Sequence, residues 1–280
     1  MSLQKIGQLI FEIENEHNLT VKTGGKYMYD RPVGVVRYLQ PNNENPNTIE
    51  SINTFEMLFS LEYTPKKLYF QNRERRVPVN PGKIELKLKH RIGMKGIVGS
   101  DYNYHITNLS AYKRFDFGHH IGNLDLRLSA GKVWNRVPFP LLFIPLGNQS
   151  YIYMSEGFNR INFYEFITDQ FVSGNAGFTL NWSPFKLLNP NSKIKTSLGV
   201  RSIFGPLSDN NNPELHPELF MLNQGIKPLG NTPYTELNIG LANILKILRI
   251  EYVHRLNYLN DSQNKNNFWK SILFSGSFSF

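Results

Sequence analysis

Apolar and polar side chains alternate with a period of two along most of this chain. Near the C-terminal end Ile272, Phe274, Gly276, Phe278 and Phe280 alternate with Leu273, Ser275, Ser277 and Ser279. Successive side chains of a strand point to opposite faces. One face of this segment is therefore aromatic and apolar, the other small and polar. Upstream, Tyr252 and Leu256 alternate with Arg249, Glu251 and Arg255, and Leu237 and Ile239 flank Glu236 and Asn238. Leu124 and Leu126 oppose Asp125 and Arg127, Ile84 opposes Lys87 and Lys89, and Phe59 opposes Glu56 and Glu62.

The alternation predicts about 12 strands, at 6–15, 18–39, 54–64, 83–91, 101–115, 119–134, 158–168, 170–182, 193–204, 233–241, 246–258 and 268–280, most of them near the ~9–11 residues a tilted membrane strand needs. The second is irregular, because Pro32 cannot donate to a ladder. The expected fold is all-β: an antiparallel transmembrane β-barrel, either whole or a fragment of a larger barrel, with residues 1–280 as one domain. A soluble β-sandwich also alternates, but its strands average only about 5–6 residues, and here aromatics sit near many strand ends, as interfacial girdles do. The expected lumen-lining charges are Glu56, Glu62, Lys87, Lys89, Asp125, Arg127, Arg201, Glu236, Arg249, Glu251 and Arg255. The expected lipid-facing residues are Phe59, Ile84, Leu124, Leu126, Tyr252, Leu256, Phe274 and Phe278. Phe278 and Phe280, on an apolar strand face at the chain end, read as an assembly signal for the barrel-assembly machinery.

Counting back from Phe280 assigns the connections. Residues 65–82, 116–118, 168–170, 205–232 and 259–267 fall on the outer side, and 41–53, 92–100, 135–157, 183–192 and 242–245 on the periplasmic side. Segment 135–157 breaks the rule of long outer and short inner connections. It is apolar, and Pro138, Pro140 and Pro145 prevent a regular helix and disfavour a central strand. Irregular backbone has no hydrogen-bond partners in lipid, so the segment is expected to close the lower rim. Phe139, Leu142 and Ile144 would then be buried, with Asn148, Gln149, Ser150 and Tyr151 bonding to inward strand residues.

Composition narrows the reading. The 280 residues contain no Cys, which excludes disulfides and thiolate metal sites. Aromatics make up 13%, and the net charge is +9. These charges are interleaved with apolar residues rather than clustered, which disfavours nucleic acid as a partner. No apolar run approaches the ~18 residues of a membrane helix, and Met1-Ser2-Leu3-Gln4-Lys5 does not read as a signal peptide.

Several short motifs then stand out: Gly131-Lys132-Val133-Trp134, Val137-Pro138-Phe139-Pro140, Gly147-Asn148-Gln149-Ser150-Tyr151, Asn162-Phe163-Tyr164-Glu165-Phe166, Gly205-Pro206-Leu207-Ser208-Asp209 and Pro233-Tyr234-Thr235-Glu236. Together they resemble the C-terminal barrel of a Bacteroidota outer-membrane family of unknown function, domain of unknown function 5686. Its members join this region to an N-terminal carboxypeptidase-like regulatory domain. The resemblance spans roughly residues 50–280 well and the first segment weakly. It implies the cell outer membrane as location and supplies no catalytic residue. The signal peptide and regulatory domain are absent from this sequence, which is the expectation for a truncated copy or a fragment.

No catalytic or cofactor constellation emerges. Gly24-Gly25 reads as a bulge or bend. His119-His120 point to opposite faces if in a strand, and Ser110 and Ser129 near His105 or His120 are an accidental pairing. Glu165 and Asp169 read as solvated acids flanking an outer turn. Lys66, Lys67, Arg73, Arg75 and Arg76 form a basic cluster in a predicted outer loop that can meet lipopolysaccharide phosphate. The expected function is a non-enzymatic scaffold, anchor or narrow charge-lined pore, without cofactor or metal. Its partners would be outer-membrane lipid and a periplasmic protein. The alternatives are an uptake or export component, a lipid-modifying barrel enzyme or a soluble β-protein.

Overall fold

The structure, a computed structural model, describes residues 2–276 apart from 34–35, 42–45, 67–68, 72–75, 79–83, 119 and 260–266. Eleven strands pair in chain order into one antiparallel sheet. They are β1 (Ser2–Glu14), β2 (Leu19–Pro32), β3 (Ile52–Tyr63), β4 (Ile84–Gly93), β5 (Tyr104–Asp116) and β6 (Gly122–Val133). After the longest connection come β7 (Gln170–Leu180), β8 (Lys195–Phe204), β9 (Tyr234–Ile244), β10 (Leu248–Arg255) and β11 (Ile272–Gly276). Among the described residues β1 and β11 do not pair with each other. The sheet is therefore open, where a closed barrel of about 12 strands was expected.

The missing strand is 158–168. Only Phe166–Ile167 is extended there, in a parallel pair with Lys227–Pro228 outside the main sheet. Removing one strand reverses the side of everything before it. Connections 33–51, 94–103, 134–169, 205–233 and 256–271 share one rim, and 15–18, 64–83, 117–121, 181–194 and 245–247 the other. The apolar segment 135–157 thus lies on the same rim as 205–232, contrary to the opposite sides expected. The strand ends that flank the basic-cluster loop, Tyr63 and Ile84, lie at the rim away from 205–232. Of that cluster Lys67, Arg73 and Arg75 fall outside the described residues, as do Phe278, Phe280 and His119.

Register shows how the alternation builds two faces. Leu124, Phe178, Leu198, Ile239, Tyr252 and Ile272 are successive cross-strand partners from β6 to β11. A second row, Leu126, Ala176, Val200, Leu237 and His254, runs on the same face. One residue along, Tyr112, Arg127, Asn175, Arg201, Glu236 and Arg255 form a row on the opposite face.

Gly24-Gly25 marks no bulge: β2 pairs with β1 and β3 without a register shift. The reason for glycine is space, since a Cβ at Gly24 would lie 2.1 Å from the Leu9 carbonyl oxygen, whereas one at Gly25 meets only the Phe55 ring at 3.5 Å. Gly24→Ala is expected to destabilise the β1–β2 pair by about 1–3 kcal/mol, the usual cost of overpacking, and Gly25→Ala much less. Amide exchange in β1 reads the difference; equal exchange in the two variants would contradict the close approach.

Candidate functional site

The row Arg127–Asn175–Arg201–Glu236–Arg255 places four charges on one face of four strands. Arg201, Glu236 and Arg255 are nearly fully buried, although the sheet alone cannot cover them. Connection 134–169 does so by folding against this inner face. Its prolines keep it out of the ladder, and Phe139–Leu141 forms one 3-10 turn. Inside the segment, Asn148 Nδ2 donates to the Ile152 carbonyl and to Asn159 Oδ1, and Asn159 Nδ2 donates to the Met154 carbonyl. These bonds shape a compact hook.

The wall grips the hook at three points. The Glu236 carboxylate accepts the backbone N–H of Asn159 at 2.8 Å and of Arg160 at 3.0 Å, and the Tyr234 hydroxyl at 3.1 Å. Arg201 donates to the Gly157 carbonyl at 3.0 Å and to the Tyr153 hydroxyl at 2.5 Å. Arg255 donates to both oxygens of Glu165, at 2.7 and 3.1 Å, and to the carbonyls of Arg160, Asn257 and Tyr258. A guanidinium has five N–H donors, and all five are used. Phe166 and Tyr234 flank it, with centroids 5.7 and 4.9 Å away. Glu251 is also enclosed, bonded to Arg249 at 2.5 Å and Asn238 at 2.8 Å. Gly240 leaves room for it, since a Cβ there would lie 2.7 Å from that carboxyl.

The apolar half of the segment caps the long-connection rim. Val137, Phe139, Leu141 and Leu142 pack with Tyr38, Ile52, Tyr104, Ile106 and Phe220. Burial, reinforced by the Asp30 carboxylate, holds the Tyr38 hydroxyl well above its ordinary titration range. Asp169 locks the neighbouring loop by accepting from the Ser208 N–H and hydroxyl and from Asn211 Nδ2.

The residues singled out from sequence divide accordingly. Glu56, Glu62, Lys87, Lys89, Asp125, Arg127, Arg201, Glu236, Arg249, Glu251 and Arg255 share the inner face. Lys87–Glu62 (2.6 Å) and Arg91–Glu56 (3.2 Å) each join β3 to β4. Lys89 sits opposite Ser60, and Asp125 accepts from the Tyr112 hydroxyl. Arg127 reaches Glu156 of the segment at 2.9 Å. Phe59, Ile84, Leu124, Leu126, Tyr252 and Phe274 lie on the other face, and Leu256 is exposed. Phe139 and Leu142 are buried and Ile144 packs against them. Asn148, however, bonds within the segment rather than to a strand, and Gln149 and Tyr151 are exposed.

Glu165 and Asp169 are not solvated acids: both are about 95% buried. Tyr153, Asn159 and Arg160 carry contacts that alternation does not flag. Ser110 and His105, five apart on β5, point to opposite faces. Removing one partner of a buried, bonded ion pair costs about 3–5 kcal/mol, so Arg255→Met is expected to lower unfolding stability by that amount. Arg255→Lys rescues little, having three donors for five acceptors. Urea titration checks both, and full rescue by lysine would show that charge alone matters.

Three comparisons bear on this architecture. No curated protein matches the sequence. Among solved structures, BamA from Haemophilus ducreyi lacking POTRA domains 1-3 is similar at 13% identity and a TM-score of 0.56. The match covers 99% of this chain and 54% of that one, so the chain spans about half its length. A family model, the family of unknown function (DUF5686) C-terminal domain, matches residues 11–202. It thus begins near the end of β1 and ends within β8. On that match the chain belongs to the DUF5686 C-terminal domain family.

Proposed function

We propose that this chain is the wall of an integral outer-membrane β-barrel whose lumen is closed by its own segment 134–169, and that it works as a scaffold rather than an open channel. The observation that carries the reading is the burial of Arg201, Glu236 and Arg255 beneath the segment. A wall built for free solute passage would leave such charges hydrated. The likeness to BamA, an outer-membrane β-barrel, supports the placement.

The two faces fit a barrel between lipid and lumen. On the outer face large apolar residues stay exposed at mid-strand, among them Leu128, Leu198 and Ile239. The outward cations Lys113 and Lys132 sit near strand ends, and exposed Trp134 and Trp182 mark opposite rims. Strands of this length cross the ~25 Å apolar band when tilted. The rim of long connections is then the outer one, and the segment enters from outside. In lipid an open edge has no partners for its N–H and C=O groups, so the membrane form pairs the free edge of β1.

Two measurements test the reading. In planar bilayers the unaltered protein is expected to show no steady conductance, and replacing 140–160 by a short Gly-Ser linker to open a channel. A large steady conductance of the unaltered protein would overturn the closed lumen. Leu126→Arg is expected to cost about 2–4 kcal/mol if near the midplane, read by urea unfolding in lipid vesicles. An unchanged midpoint would remove Leu126 from the lipid face.

A further inference from the structure

On the outer face, just below the long-connection rim, lies a groove of about 510 Å³. Ala130 forms its floor, since its partners across the sheet, Leu109 and Val172, are larger; Gly131 lines it by backbone alone, because a Cβ there would point inward at Phe143 of the segment. Leu109, Val172, Phe204 and Trp134 form its walls, all of them exposed. Trp134 is fixed across the upper end by its indole N–H, which donates to the Thr107 hydroxyl at 2.9 Å. There too is Lys132, whose ammonium lies 4.8 Å over the Trp134 ring and makes no ion pair with any described residue. The groove is thus apolar along its length and cationic at one end.

We infer that this groove is a binding site for one phosphate-bearing membrane lipid, an acyl chain lying over Ala130 and the phosphate meeting Lys132. The inference rests on the membrane placement proposed above. That placement decides the occupant, because the groove sits on the belt that faces lipid and a water-soluble partner has no path to it. Its volume is in the range of small-molecule sites. Indole and ammonium together match the interface between acyl chains and headgroups, where Trp and Lys anchor. The site differs from a generic lipid contact in joining a recess to a cation: Leu128 is plain exposed surface, and the recess of about 610 Å³ that Leu198, Ile239 and Tyr252 line has no lysine or arginine among its lining residues.

The test uses the full chain in nanodiscs of phosphatidylcholine and phosphatidylglycerol, each lipid supplied in turn as an analogue with a photoreactive acyl chain. Peptide mapping should find labels concentrated on 130–134, 171–172 and 204–206. One lysine near anionic lipid is worth about a fivefold preference, so phosphatidylglycerol should label there about five times more than phosphatidylcholine. Lys132→Gln should abolish the preference but keep the labelling, and Ala130→Phe should remove the labelling by filling the floor. Even labelling around the belt, unaffected by Ala130→Phe, would overturn the site while leaving the barrel intact. No labelling of the belt at Leu198 or Ile239 either would overturn the membrane placement and the site together.

Discussion

The structure turns on buried charges that the sheet cannot satisfy by itself. Arg255 and Glu236 are neighbours across β9 and β10, and both project to the inner face. Leaving either desolvated and unpaired would cost more than the sheet's pairing there returns. Segment 134–169 resolves this with opposite chemistry at adjacent points. It brings the Glu165 carboxylate to Arg255 and the N–H groups of Asn159 and Arg160 to Glu236. Neither wall nor segment is complete alone: the wall partners its charges only in part, through the Arg201–Glu236 pair and the Tyr234 hydroxyl, and the Pro-rich segment lacks a ladder for its backbone.

That dependence shapes the rest of the inner face. Tyr153 lies 4.9 Å from both the Arg201 and Arg249 guanidinium carbons, so its ring fills the gap between two cations. Arg127 meets Glu156 at a more exposed position, where screening leaves such a pair little worth. The grip is therefore strongest at β8–β10 and weakens toward β6. Away from the segment, the Lys22–Glu62–Lys87 and Glu56–Arg91 groups pair within the wall itself. The inner charges thus serve two purposes. Some join neighbouring strands, and others hold an inserted chain.

Much of this was legible in the sequence and some was not, for physical reasons. A period of two reports which side chains share a face, and the rows through Leu126 and Arg127 follow it directly. It does not report whether an extended stretch finds a partner strand. Phe163 to Ile167 alternates like a strand, yet Tyr164 has φ of 59° and the Glu165 carboxylate accepts the Asn162 N–H, closing a turn. Counting that turn as a strand reversed the predicted sides of all earlier connections. The apolar, Pro-rich character of 135–157 was a sound signal for a packed segment, because it follows from composition alone. Its anchors were not legible, since Glu165 and Arg255 are 90 residues apart and only the fold brings them together.

The segment also touches the sheet's last edge. Phe274 of β11 donates its N–H to the Tyr151 carbonyl at 2.8 Å and accepts the Tyr153 N–H at 2.7 Å. These groups point away from β10, along the edge where a further strand would pair. The other edge, β1, is exposed on both faces for most of its length and has no second neighbour among the described residues. A strand added at β1 finds its partners free. One added at β11 must first displace 151–153, and that pulls on Tyr153 and hence on the Arg201 contact inside the wall. Pairing at β11 and seating of the segment therefore compete for the same two backbone groups.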